Sequence, residues 1–286
     1  MIRIGPAGWS YKDWSGSVYP SPRPRKFDEL AWLARYFDTI EINSTFYRPA
    51  LRGTAQRWAQ RVAANERFRF TLKLWQRFTH ERETRWSAAE SAEARNAIAA
   101  LQEEGRLGAV LAQFPWSFKR DTPNRHWLDA LTKEFGDLPL VIEIRHDSWD
   151  TPEFYDSLAE RGVGFVNIDQ PAHRHGIQPS ARATSQTGYV RVHGRNAENW
   201  FREDAGVNER YDYLYSAAEL LPWAERVRQI SLFTDEIYVI TNNHFEGQAV
   251  ANAVMLTSML SGKPAPAPPP TLEKYGDVMG QHAFPL

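Results

Sequence analysis

Eight short apolar, β-branched runs recur along the chain. They are Ile2–Trp9, Thr39–Phe46, Arg67–Trp75, Leu107–Pro115, Leu138–Trp149, Val163–Asp169, Gly188–Gly194 and Glu236–His244. Each has the length and residue types of a strand. Between most of them the apolar positions switch to helical spacing. Residues 27–37 place Leu30, Leu33, Ala34 and Phe37 on one face. A second helical stretch covers 53–65. The Ala/Glu-rich stretch 87–105 ends on Gly105, a C-cap residue. Residues 122–136 carry Thr122 as N-cap, Pro123 at the first helical position and Gly136 past the end. Thr151, Pro152 and Gly162 repeat that layout, and helical patterns over 216–233 and 246–262 complete the set. Between Asp169 and Gly188 no helical pattern appears, so the sixth helix is short or missing.

Strands alternating with helices over about 250 residues predict an α/β fold, a single (β/α)8 TIM-type barrel spanning 1–286. An open doubly wound sheet is the rival. It is disfavoured because "GPAGWS" after the first strand lacks the spacing of a dinucleotide-binding glycine loop. The tail begins "GKPAPAPPP", and 263–286 reads as a polyproline-type surface strap.

In such a barrel the active site lies at the C-terminal ends of the strands. Glu41 and Asn43, Thr71 and Lys73, Glu143 and Arg145, Asn167 and Asp169, and Arg191 and His193 are i, i+2 pairs there. Gln113 ends the fourth strand, and Asn242, Asn243 and His244 end the eighth. Residues two apart in a strand share a face, so the barrel interior turns polar towards its mouth. The carboxylates Glu41, Glu143 and Asp169 balance the cations Lys73, Arg145 and Arg191. Two readings follow: a ligand site, or a buried ion-pair layer that closes the core. Lys73 and Arg145 are the expected partners of Glu41. For Lys73 an ion pair is expected ahead of a lowered-pKa base or Schiff-base role.

Composition narrows the chemistry. With no cysteine there are no disulfides, thiol nucleophiles or thiolate metal ligands. A formal net charge of −1 gives no global field for nucleic acid or anionic membrane, so nucleic acid is the weakest partner. No apolar run approaches a membrane span and no signal-peptide pattern opens the chain, which predicts a cytoplasmic protein with no membrane association. The 11 tryptophans are many for this length. Trp9, Trp75, Trp116 and Trp149 fall at strand ends, and Trp14 and Trp200 in loops at the same face. They read as a stacking rim or as plugs under the loops. Gly194, Arg195, Asn196, Asn242, Asn243 and His244 sit after strands seven and eight, where barrels often hold phosphate. Glu41, Glu143, Asp169 and His193 offer a divalent-metal alternative, though no compact metal motif is present. His80–Glu83 reads as a charged loop or lid.

The stretches "AGWSYKDW", "FDTIEINSTFYR", "RFRFTLKLWQRFTH", "QFPWSF", "IEIRHDSW", "GYVRVHGRN", "YDYLYS" and "YVITNNHFEGQAVANA" resemble, in order, the YecE-like family, domain of unknown function 72. The resemblance covers nearly the whole chain. It implies a TIM-type barrel and no settled reaction. Its motifs fall on Trp9, Glu41, Asn43, Lys73, Glu143, Arg145, His193, Arg195, Asn242, Asn243 and His244, and Pro6 departs from the pattern. The leading expectation is an enzyme, an isomerase, lyase or hydrolase, acting on a small polar molecule that is sugar-like, anionic or phosphorylated. Glu41 and Glu143 form its acid/base pair, with Lys73 and His193 beside them. Trp9, Asn43, Gln113, Arg145, Asp169, Arg195, Asn242, Asn243 and His244 bind the substrate. No cofactor is called for. The alternatives are a metal-dependent isomerase or phosphodiesterase-like barrel, and a non-catalytic binder of a metabolite or partner.

Overall fold

The computed structural model describes residues 1–200, 202 and 206–286. Eight parallel strands form the barrel: β1 (Ile2–Pro6), β2 (Thr39–Ile42), β3 (Arg69–Lys73), β4 (Leu107–Gln113), β5 (Leu140–Glu143), β6 (Gly164–Asp169), β7 (Thr187–Val192) and β8 (Glu236–Thr241). Each strand pairs with its sequence neighbour, and β8 pairs with β1. Between β1 and β2 the ladder shrinks to one bridge, Ala7 with Glu41, where Gly8 N donates to the Glu41 carbonyl at 2.8 Å. The barrel is therefore nearly closed, with helices between its strands, as the alternation predicts.

All eight predicted strands are present, each shorter at its C-terminal end or unchanged. The trimmed residues enter the loops of the mouth. Asn43, for instance, leaves the strand and precedes a 3-10 turn over Ser44–Phe46. The helices follow their caps. Ser87 and Glu90 form a capping box ahead of the helix Ala88–Glu103, and Ser216 and Glu219 do the same for Ala217–Ser231. Asp121, not Thr122, caps Thr122–Phe135, because its carboxylate accepts from Asn124 N at 2.8 Å.

No helix joins β6 to β7. That connection is pinned by Asn167, whose amide donates to the Arg182 carbonyl and whose oxygen accepts from Arg182 N and Ser180 Oγ. Asn167 is thereby a clamp on its own loop. The tail differs from a polyproline strap. A short β9 (Ala265–Ala267) pairs with β10 (Ala283–Pro285), and a helix runs over Pro269–Met279 between them. Its two leading prolines occupy the first turn, where a missing N–H costs nothing. Thr271 Oγ1 donates to the Ser17 carbonyl and Tyr275 Oη to the Glu246 carbonyl, tying the tail to the loops after β1 and β8. Among the described residues no helix is long and apolar enough to cross a membrane.

Gly5 lies on β1 where a Cβ would run into the Thr39 carbonyl of β2. The thinnest seam of the barrel leaves no room for a methyl group. Gly5→Ala is expected to lower unfolding free energy by about 3 kcal/mol or more, read as a shift in the urea midpoint.

Candidate functional site

At the floor of the mouth, one guanidinium links two strands across the barrel. Arg191 Nη2 donates to Glu41 Oε1 at 2.7 Å, and Nη1 donates to Glu143 Oε2 at 2.6 Å. All three side chains are buried. The other Glu41 oxygen accepts from Tyr189 Oη at 2.9 Å. Thr71 Oγ1 lies 2.8 Å from the same Tyr189 oxygen. The tyrosine has one proton, so Thr71 is the donor in that contact. The other Glu143 oxygen accepts from Arg145 Nε at 3.0 Å. Burial alone would raise the Glu143 carboxyl, but Arg191, His193 and Arg145 outweigh it and hold it well below the usual carboxylate range. Its charge is compensated in place, as a buried ion pair requires.

His193 completes this layer. Its Nδ1 faces Asn242 Nδ2 at 3.0 Å, and an amide nitrogen donates, so the ring proton sits on Nε2. Nε2 lies 3.3 Å from Glu143 Oε1, without the alignment of a full hydrogen bond. Burial lowers its pKa to about 3, so the ring is neutral.

Above this layer opens a cavity of about 760 Å³. Trp9, Asn43, Lys73, Gln113, Arg145, Asn242 and His244 line it, as the strand ends predict. Glu41, Glu143, His193, Asp169, Arg195 and Asn243 do not. The expected acid/base pair is therefore revised. Glu41 and Glu143 do not face each other across open space. They are joined through Arg191, and each carboxylate oxygen has a protein partner.

The loop donors expected to bind phosphate are also taken up internally. Arg195 pairs with Asp169 through Nε at 2.9 Å and approaches Glu219 at 3.7 Å. Asn196 donates to the Glu209 and Asp212 carbonyls. Asn243 donates to the Tyr213 carbonyl and to Asn252 Oδ1, fixing the segment that carries Tyr213 and Tyr215. Only Asn242 and His244 of that group reach the cavity. The metal alternative loses its ligands in the same way. Among the described residues no cluster of three His, Asp or Glu side chains is placed to hold a metal ion.

Lys73 departs from expectation most. Among the described residues no carboxylate lies within salt-bridge distance of it. Its Nζ sits 3.9 Å from the centre of the Phe46 ring, a cation–π contact. Burial, reinforced by the charge of Arg191, lowers its pKa to about 7 despite Glu143 and Glu41. His80 stands edge-on to the same ring at 4.8 Å. Burial and then the charge of Lys73 lower its pKa to about 4.

Sequence reasoning missed several wall residues. Tyr11 stacks on His244 at 4.6 Å, and Tyr211 packs against the same imidazole at 5.0 Å. Both come from loops with no periodic signal, as does Arg210, whereas Phe46 closes the run read as the second strand and His80 opens the charged loop after the third. Of the tryptophans, Trp9 and Trp116 line the cavity, and Arg145 lies 5.5 Å over Trp200. Trp14 and Trp149 are plugs, buried and donating to the His244 and Phe118 carbonyls. Four buried polar atoms of cavity residues, Asn43 Oδ1, Arg191 Nε, Arg210 Nε and His244 Nδ1, have no partner among the described residues.

Fold and site together define a (β/α)8 barrel whose mouth is a cationic, aromatic cavity over a buried ion-pair layer. The chain belongs to the family described as protein of unknown function DUF72, whose model matches residues 3–274. It is 29% identical over 273 residues to the UPF0759 protein YunF of Bacillus subtilis, covering 91% of this chain and 95% of that one. The UPF0759 protein YecE of Escherichia coli K12 is 28% identical over 186 residues, 60% of this chain and 61% of that one. A crystal structure of a DUF72 family protein from Thermotoga maritima superimposes with a TM-score of 0.77 at 34% identity, covering 91% of this chain and 99% of the other.

Arg191→Met would leave two buried carboxylates without their shared partner. The expected loss is about 3–5 kcal/mol by chemical denaturation. Lys73 carries the opposite linkage. Its folded pKa lies below its unfolded value, so between about pH 7 and 10.5 the unfolded chain holds the extra proton and stability rises with pH. Lys73→Met is therefore expected to stabilise the protein at pH 6 and to lose that advantage by pH 10, in paired urea titrations.

Proposed function

We propose that this protein is an enzyme acting on a small anionic molecule with a planar or ring-shaped apolar face, bound in the barrel mouth. The observation that carries this reading is the charge of the lining. Lys73, Arg145, Arg191 and Arg210 line the cavity, and among the described residues no aspartate or glutamate does. A cavity with low-dielectric walls and one sign of charge concentrates the opposite sign. The net charge of −1 hides this, because the interior carboxylates are spent on Arg191 and Arg195.

Arg145 is the principal anion contact. Its Nε is held by Glu143, while its two terminal nitrogens make no hydrogen bond among the described residues. A guanidinium fixed at one edge presents the other as a planar fork for carboxylate or phosphate. Trp9, Tyr11, Phe46, Trp116 and Tyr211 supply the aromatic walls. Asn43 Oδ1 is an acceptor for a hydroxyl group of the same ligand, and His244 Nδ1, also buried without a partner among the described residues, donates or accepts according to its tautomer.

Thermal shift with matched pairs tests the reading. Ribose 5-phosphate and glucose 6-phosphate are expected to raise Tm where ribose and glucose do not. Arg145→Gln is expected to weaken phosphate-sugar binding at least tenfold, about 1.4 kcal/mol. Equal stabilisation by the neutral sugars, or an unchanged affinity in Arg145→Gln, would overturn it.

A further inference from the structure

The placement of Lys73 invites a closer chemical reading, one that rests on the anionic-substrate assignment above. The side chain projects from the end of β3 into the cavity mouth. It is the one lysine on that lining. Everywhere else the described lining uses arginine for positive charge, in a chain with seven lysines and twenty-seven arginines. A lysine placed to neutralise a carboxylate would touch one, and a lysine placed only to hold an anion would be matched by the arginines around it. Lys73 instead lies against the Phe46 ring at 3.9 Å, with its amine hydrogens unclaimed by any described acceptor. Arg191 and Arg145 stand close enough to oppose its protonation. An amine desolvated beside other cations is the arrangement that turns a lysine into a nucleophile.

We propose that Lys73 condenses with the carbonyl carbon of an anionic aldehyde or ketone held by Arg145, forming an imine in the barrel mouth. The Nζ lone pair attacks the carbonyl carbon, and the carbonyl oxygen becomes the hydroxyl of a carbinolamine. Both amine protons then leave with that oxygen as water, and the C=N bond forms. Protonated, the imine withdraws electrons from the neighbouring carbon, so a C–H or C–C bond there can break heterolytically. Hydrolysis reverses the condensation and returns the amine. No metal or redox partner is needed for any of these steps. The class of substrate is a 2-oxo acid or a phosphorylated aldose or ketose in its open form.

The titration behaviour agrees with this geometry. At pH 7 an amine whose pKa is about 7 is roughly half neutral, against about one part in three thousand for an ordinary lysine. Burial sets most of this balance, followed by Arg191 from β7, Glu143 from β5, Glu41 from β2 and Arg145 just beyond β5, while His80 from the loop after β3 is held neutral beside the amine.

Borohydride trapping decides the matter. The full-length protein is incubated with pyruvate, 2-oxoglutarate, glyceraldehyde 3-phosphate or dihydroxyacetone phosphate, then reduced with sodium borohydride and mapped by peptide mass spectrometry. The expected product is a stable adduct on the Lys73 peptide, heavier by the carbonyl compound less one oxygen atom. Its rate of formation should rise to half its maximum near pH 7. Lys73→Arg and Lys73→Met should give no adduct, and Lys73→Arg, which keeps the charge, should bind lactate or glycerol 3-phosphate as the parent protein does. Thermal shift by these compounds without any Lys73 adduct would overturn the imine and leave the anionic-substrate reading standing. No thermal shift by any anion would overturn both. Adducts spread over the other lysines and absent from Lys73 would also overturn it, and the parent protein's peptide map alone decides this should the variants fail to fold.

Discussion

The bridge from Glu41 through Arg191 to Glu143 is the constraint on which the rest of the mouth depends. It joins β2, β7 and β5, no two of which are neighbours in the sheet. Burying three charges is unfavourable unless geometry and additional hydrogen bonds satisfy each one. The planar fork of arginine meets that demand by presenting two donors to two carboxylates at once. Tyr189 and Arg145 then cover the other oxygen of each carboxylate, Thr71 supports Tyr189, and His193 packs beside Glu143. Such a network is high-stakes, because any member removed leaves a charge without a partner in a low-dielectric interior.

The bridge also fixes the electrostatics above it. By absorbing Glu41 and Glu143, while Arg195 takes Asp169, it leaves the cavity lined by cations and no carboxylate among the described residues. Arg145 is tied at one edge only. Lys73 is shielded from Glu41 and Glu143 by the guanidinium that claims them, and its neighbour is an aromatic face. A chain that is close to neutral as a whole thus carries a positive interior at one end. The same ions that stabilise the floor supply the polarity of the site.

The architecture was legible because strand and helix periods alternate cleanly, and because Ser, Thr, Gly and Pro mark most helix ends. Parity along the strands was also legible, and it correctly placed Lys73, Gln113 and Arg145 at the cavity. What it could not convey was which side chains meet across the lumen. That depends on strand tilt and stagger, which leave no local trace. Lys73 and Arg145 were therefore the expected partners of Glu41, whereas Arg191 and Tyr189 hold it. The loops gave the weakest signal. Arg195 and Asn243 have the residue types of a phosphate site but serve as internal ties, and Tyr11, His80 and Tyr211 face the cavity from segments with no periodicity to read.

Glu41 and Asn43 show how close the two kinds of position lie. They are two residues apart, about 7 Å along an extended chain. Glu41 is in the strand, its carboxylate oxygens taken by Arg191 and Tyr189. Asn43 is just past the strand end, lining the cavity with its Oδ1 buried and unpartnered. The ion-pair layer and the cavity are therefore successive tiers of one interior, the first at the depth of Glu41 and the second at that of Asn43. Depth along the strand, more than residue type, separates the tiers. The floor carboxylates, with every oxygen taken, hold the barrel together, and Arg191, whose terminal nitrogens hold them while its Nε has no partner among the described residues, belongs to both tiers.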